Sequence, residues 1–92
     1  MTEKADHQSH PAIVKRLRRA DGHLRKIIAM IEEGRPCLDI AQQLQAVESA
    51  VNAAKKTLIH DHLDHCLDSA LDSKTGDSQS MIDTFKEITR YL

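Results

Sequence analysis

At 92 residues and a net charge of −1, the chain has room for one domain at most. Its core must come from Leu, Ile, Val and Ala, because it holds one Phe, one Tyr and no Trp. No apolar run approaches the roughly 20 residues that cross a bilayer, and the polar start from Met1 to His10 carries no secretory signal. The expected compartment is the cytoplasm, where two cysteines are free, metal-bound or redox-active rather than paired in a structural disulfide.

Residues 1–10 are polar, carry His7 and His10, and are expected to form a flexible arm ahead of a single helical domain spanning residues 11–92. Pro11 suits the first turn of a helix, where its missing N–H costs nothing. From there Ile13, Leu17, Ala20, Leu24, Ile27 and Ile31 recur at steps of three and four, one apolar stripe of an amphipathic helix. Gly34 at the C-cap and Pro36 just beyond end it. A second helix begins at Cys37 or Leu38. Ile40, Leu44, Val47, Val51, Ala54 and Leu58 keep a heptad-like rhythm, which runs on through Leu63, Leu67, Ala70 and Leu71 with no Gly or Pro before Gly76. Such a helix is roughly 45–50 Å long at 1.5 Å per residue. A helix that long cannot bury its stripe against one short neighbour, and it asks for a helix from another chain. A core this thin makes the same demand for a partner subunit or a metal. Ser73 to Asp77 reads as a turn. A third, short helix follows, with Met81, Ile82, Phe85, Ile88 and Leu92 as its apolar side. With no strand signal, the fold class is all-α: a three-helix protomer with a long second helix.

Charge is spread unevenly. Lys15, Arg16, Arg18, Arg19, Arg25 and Lys26 sit close together, opposed only by Asp21. Beyond Thr57 the balance reverses: Asp61, Asp64, Asp68, Asp72, Asp77, Asp83 and Glu87 face only Lys74, Lys86 and Arg90. A basic segment inside a neutral chain is either a solvated helix face or an electrostatic footprint for nucleic acid. No helix-turn-helix pattern is present, so DNA binding would use another geometry.

The residues that carry chemistry are His60, His62, His65 and Cys66, together with the distant Cys37. His62 and Cys66, at i and i+4, share one side of a helix. An imidazole and a thiolate one turn apart make half of a transition-metal site. His60 and His65 fall off that side of the helix and are expected to be exposed. His23, in the basic helix, is expected at the surface or facing DNA. Cys37 precedes Cys66 by 29 residues (37 to 66), roughly 43 Å along one helix. It reads as a buried small hydrophobe or as a third ligand. The second reading requires two long helices to pair antiparallel, so that the start of one meets the far half of its partner. Catalysis finds no support: there is no Gly-rich phosphate loop, no H-E-x-x-H and no Cys-x-x-Cys, and an all-helical chain of this size offers little room for a substrate pocket.

From about Ile13 to Leu92 the chain resembles the CsoR/RcnR family of metal-sensing transcriptional repressors. The resemblance is carried by Val14-Lys15-Arg16-Leu17 with Asp21-Gly22-His23-Leu24, by Gly34-Arg35-Pro36-Cys37, by Gln42-Gln43-Leu44-Gln45-Ala46-Val47, and by Asp61-His62-Leu63 with Cys66. The Cys–x24–His–x3–Cys spacing of Cys37, His62 and Cys66 matches the triad of the family's Cys-His-Cys members. The resemblance implies an antiparallel four-helix-bundle dimer and a dimer-of-dimers tetramer. It implies a site built from Cys37 of one protomer and the His62/Cys66 pair of another. It also implies a repressor whose metal-free form binds operator DNA and lets go when metal binds, derepressing an efflux or detoxification gene. By position the DNA contacts would be Lys15, Arg16 and Arg19, with Lys55 and Lys56 standing in for a basic residue that the family often carries where Ala53 falls here. Two thiolates and an imidazole suit Cu(I). The family's Ni(II)/Co(II) sensors add a histidine from the N-terminus at about the position of Ala5. His7 is two residues away and His10 five, and this tail tilts the expectation toward Ni(II)/Co(II). Persulfide sensors of the same fold lack the histidine, so His62 argues against them. Formaldehyde sensors lack the second cysteine, so Cys66 argues against those. A storage or chaperone module that never touches DNA would keep the triad but need no basic helix.

Overall fold

The computed structural model describes residues 9–72 and 78–92. His7 and the turn expected at residues 73–77 lie outside the described residues. The elements are α1 (His10–Glu32), α2 (Cys37–Asp72), α3 (Ser78–Ile88) and a closing 3-10 turn (Thr89–Tyr91). Among the described residues there is no strand, and no helix is long and apolar enough to cross a membrane.

Local chemistry sets these boundaries. Pro11 lies in the first turn of α1, as its fixed φ and missing donor favour. At the other end Gly34 takes φ +73°, the left-handed conformation that a residue without Cβ adopts at no steric cost. The amide of Gly34 donates to the carbonyl of Ile31 at 3.1 Å and that of Arg35 to Met30 at 3.0 Å. These two bonds form a Schellman motif and satisfy carbonyls that the helix end would otherwise leave bare. Pro36 cannot extend α1, and its carbonyl accepts from Ile40 at 3.1 Å, the first bond of α2. From Cys37 the helix runs unbroken for 36 residues, since no Gly or Pro interrupts it.

The chain divides into two compact units, Pro11–Ala54 and Lys55–Leu92, with His10 belonging to the second. In the first, the core residues are Ile13, Ala20, Ile27 and Met30 of α1 with Val47 and Ala54 of α2. His23 donates its Nε2–H to Oε1 of Gln43 at 2.6 Å, a part-buried bond that ties α1 to α2. In the second unit Ile59 is buried, and Met81, Phe85 and Ile88 form the half-buried side of α3. Gln79 Nε2 donates to Asp83 Oδ1 at 3.1 Å, and Thr89 Oγ1 donates to the Lys86 carbonyl at 2.8 Å where α3 tightens into its final turn.

The apolar stripes divide in a way that periodicity alone does not show. Ile13, Ala20 and Ile27 are buried, whereas Leu17, Leu24 and Ile31, each four residues further on, are exposed. On α2, Val47 and Ala54 are buried and Ile40 half-buried, while Leu44, Val51 and Leu58, again each four residues on, are exposed. A step of four turns about 40° around a helix, so both helices carry an apolar arc wider than one chain covers. Ile82 and Leu92, expected on the apolar side of α3, are also exposed.

Candidate metal centre and nucleic-acid face

His62 and Cys66 project from one side of α2, both half-buried. The thiol Sγ lies 3.3 Å from His62 Nε2, a hydrogen-bond contact one helical turn apart. Burial pushes the Cys66 thiol above its ordinary value, because a thiolate is harder to hold where water is partly excluded. The spacing suits a shared ion. Metal–sulfur and metal–nitrogen bonds of about 2.3 and 2.05 Å at a tetrahedral angle place S and N about 3.5 Å apart, within a few tenths of an ångström of the separation found.

Cys37 is the first residue of α2 and is exposed rather than a buried hydrophobe. It belongs to the first compact unit, and the His62/Cys66 pair to the second. Neither cysteine is in a disulfide. Among the described residues of the protomer, no group of three His, Cys, Asp or Glu side chains gathers that could hold an ion. His10, at the start of α1, brings Nε2 to 4.0 Å from Oδ2 of Asp61, the residue before His62. Asp61 as a neighbour of the N-terminal segment had no sequence signal, since some fifty residues separate the two positions.

The other histidines divide. His60 is exposed as expected, but His65 is half-buried. His23 departs furthest from expectation. It is not a free surface residue but the donor in the hydrogen bond that joins α1 to α2.

The lysines and arginines of α1 and α2 all reach water. Lys15, Arg16 and Arg19 are exposed on α1, as are Arg18, Arg25 and Lys26, and Lys55 and Lys56 are exposed on α2. Arg25 Nη2 is 3.3 Å from Asp21 Oδ2, a solvated i, i+4 pair that adds little stability. With their stems in solvent, these cations are available to an anionic partner.

Comparison with known proteins adds independent support. The model of a family described as metal-sensitive transcriptional repressors matches residues 9–91. The chain is 36% identical over 80 residues to the copper-sensing transcriptional repressor CsoR of Bacillus subtilis (strain 168), covering 85% of this chain and 79% of that one. It is 44% identical over 57 residues to the copper-sensing transcriptional repressor RicR of Mycobacterium tuberculosis (strain ATCC 25618 / H37Rv), covering 62% of this chain and 59% of that one. Among solved structures it is similar to the nickel-responsive transcriptional regulator InrS, with a TM-score of 0.80 at 30% identity, covering 94% of this chain and 96% of that one.

Proposed function

Since the chain belongs to the metal-sensitive transcriptional repressor family, we propose that it acts in the cytoplasm as a homo-oligomeric repressor, holding operator DNA when metal-free and releasing it on binding Ni(II)/Co(II) or Cu(I), so that a metal-efflux gene is expressed. It is a regulator rather than an enzyme. The observation that carries the reading is the His62–Cys66 pair, two donors of the right softness 3.3 Å apart on one turn of helix.

In this reading Cys37 of one protomer completes the site formed by His62 and Cys66 of another, as two long helices pairing antiparallel allow. The exposed apolar lines on α1 and α2 support such pairing, since a second chain is the natural cover for them. Bound metal supplies the link between protomers. Cys37 and Cys66 must give up their protons to take part, so uptake releases protons and strengthens as pH rises. Lys15, Arg16, Arg19, Lys55 and Lys56 hold the DNA through its phosphates, so affinity falls steeply with salt. Release follows only if the ion favours the DNA-free shape, and coupling of about 1–3 kcal/mol per site, summed over several sites, makes a usable switch.

The relatives sense copper in two cases and nickel in the third. The contact of His10 with Asp61 brings an N-terminal imidazole to the segment that bears His62. That favours a fourth nitrogen ligand from His10 or His7 and hence Ni(II)/Co(II) over three-coordinate Cu(I). The test is an anaerobic titration of the reduced protein with Ni(II), and separately Cu(I), while binding to DNA from its own upstream region is followed. Release by Ni(II) that is lost in His7→Ala or His10→Ala identifies a nickel or cobalt sensor. Release by Cu(I) alone, indifferent to those changes, identifies a copper sensor. Cys37→Ala should bind DNA but ignore metal; a Cys37→Ala protein that still lets go when metal is added rules out the shared site. Tight metal binding with no DNA binding at all would point to a storage module instead.

A further inference from the structure

α1 carries a glycine for which its own chain gives no reason. Gly22 lies in the middle of the helix and is exposed, and a Cβ built on it meets nothing within 4 Å. Its backbone is not in the left-handed region, where Gly34 alone is found among the described residues. A glycine in a helix interior weakens the helix relative to alanine. Neither backbone conformation nor packing within the protomer therefore calls for one here.

The surroundings of Gly22 suggest what does. At about 100° per residue, Lys15, Arg18, Arg19, Arg25 and Lys26 all fall within about 60° of the direction Gly22 faces, and all five are exposed. The buried Ile13, Ala20 and Ile27 lie about 140–180° away. The exposed apolar Leu17, Leu24, Ile28 and Ile31 lie about 120–180° away around the other side. Met30 of the core and the exposed Val14 lie about 80° off on either side, so Gly22 bares the helix backbone at the centre of a cationic strip, facing away from Ile13, Ala20 and Ile27 and from the Leu17, Leu24, Ile28 and Ile31 line that a second chain would cover. From Lys15 to Lys26 the strip is about 16 Å long, the axial run of about five phosphates on one DNA strand.

We propose that Gly22 is the point where α1 makes its closest approach to a nucleic-acid phosphodiester backbone, and that Arg18, Arg25 and Lys26 join Lys15 and Arg19 as its phosphate contacts. The inference rests on the DNA-binding reading and deepens it. Without a Cβ at the centre, a phosphate settles against the helix while the flanking long side chains close on its oxygens from both sides. Such contacts position the protein without reading sequence, so they act on any duplex.

The experiment compares wild type with Gly22→Ala and Gly22→Gln, using a fluorescein-labelled mixed-sequence DNA duplex, anisotropy across a salt series, thermal melting and sedimentation velocity. Gly22→Ala should raise Tm by about 4–8 °C, as helix propensity dictates. It should nevertheless weaken duplex binding by about tenfold, equivalent to one charge-assisted contact, with Gly22→Gln weaker still. Arg18→Gln and Lys26→Gln should each reduce the slope of log affinity against log salt by about one. A Gly22→Ala protein that is more stable and binds the duplex like wild type overturns the proposal and leaves the glycine a tolerated surface residue. A change in oligomeric state in either Gly22 variant also overturns it, placing a second copy of the chain against the glycine. If wild type binds no duplex, the DNA-binding reading itself fails.

Discussion

Replacing Ile27 and Leu24 separately by alanine distinguishes the core that a single protomer builds from the apolar surface it leaves for another. Ile27 is 1% exposed and Leu24 is 42% exposed, though they sit three residues apart on α1. Each change removes three carbons. At Ile27 all three leave a buried site, so the transfer loss is about 2.4 kcal/mol at about 0.8 kcal/mol per CH₂. The cavity left behind adds to this and places the total within the usual range of about 2–5 kcal/mol. At Leu24 the protomer shields only about half the side chain, so the loss within one chain is about 1–1.5 kcal/mol. A second chain lying over Leu24 raises its cost to that of Ile27, and the extra part appears as weakened association that depends on protein concentration. Urea denaturation followed by circular dichroism at widely separated protein concentrations, with sedimentation velocity on each variant, reads both terms. The expected outcome is a concentration-independent loss for Ile27→Ala and a loss for Leu24→Ala that grows on dilution. A Leu24→Ala protein with unchanged sedimentation, costing about 1 kcal/mol at every concentration, would falsify the view that the exposed line is an interface.

Three further predictions concern smaller features. Limited alkylation of the reduced, metal-free protein should modify exposed Cys37 before half-buried Cys66, as read by peptide mass mapping; equal rates would contradict the burial of Cys66. The same burial raises the thiol of Cys66 in the folded chain above its unfolded value. Its contribution to stability is therefore whole below the unfolded value and fades as pH climbs through the folded one, a loss that Cys66→Ser should remove from the alkaline limb of a pH–stability curve. The His23–Gln43 bond should contribute about 0.5–1.5 kcal/mol in a double-mutant cycle of His23→Ala and Gln43→Ala; a coupling near zero would mean the two side chains act independently.

The sequence revealed the elements far better than it revealed their faces. Pro11, Gly34 and Pro36 act through local backbone geometry, so they mark the ends of α1 and the start of α2 without reference to distant residues. The unbroken run after Cys37 likewise shows a long helix directly. Burial is different. Ala20 and Leu24 belong to one apolar arc, and which of them a neighbour covers is decided by how far that neighbour wraps the helix, which the period of a pattern does not encode. Met30 is buried though it stands outside the chosen stripe, because the true inner face is rotated toward His23. His23 itself was legible as a titratable residue in a basic helix, but its partner lies twenty residues away on another element. The His62–Cys66 contact was readable because i and i+4 meet in any α-helix. Cys37 offers no such local rule, and its role depends on which chain its helix lies beside.

The joint between α1 and α2 has a mechanical consequence. Two hydrogen bonds, a left-handed glycine and a proline leave almost no slack between Met30 and Cys37. The thiol of Cys37 therefore sits at the end of a stiff crank rather than on a tether. Any force that draws Cys37 toward a ligand is not absorbed by a yielding loop but turns the whole of α1, basic strip included. In a sensor, short rigid couplings of this kind let an event confined to one sulfur atom become a rotation of a surface several turns of helix away.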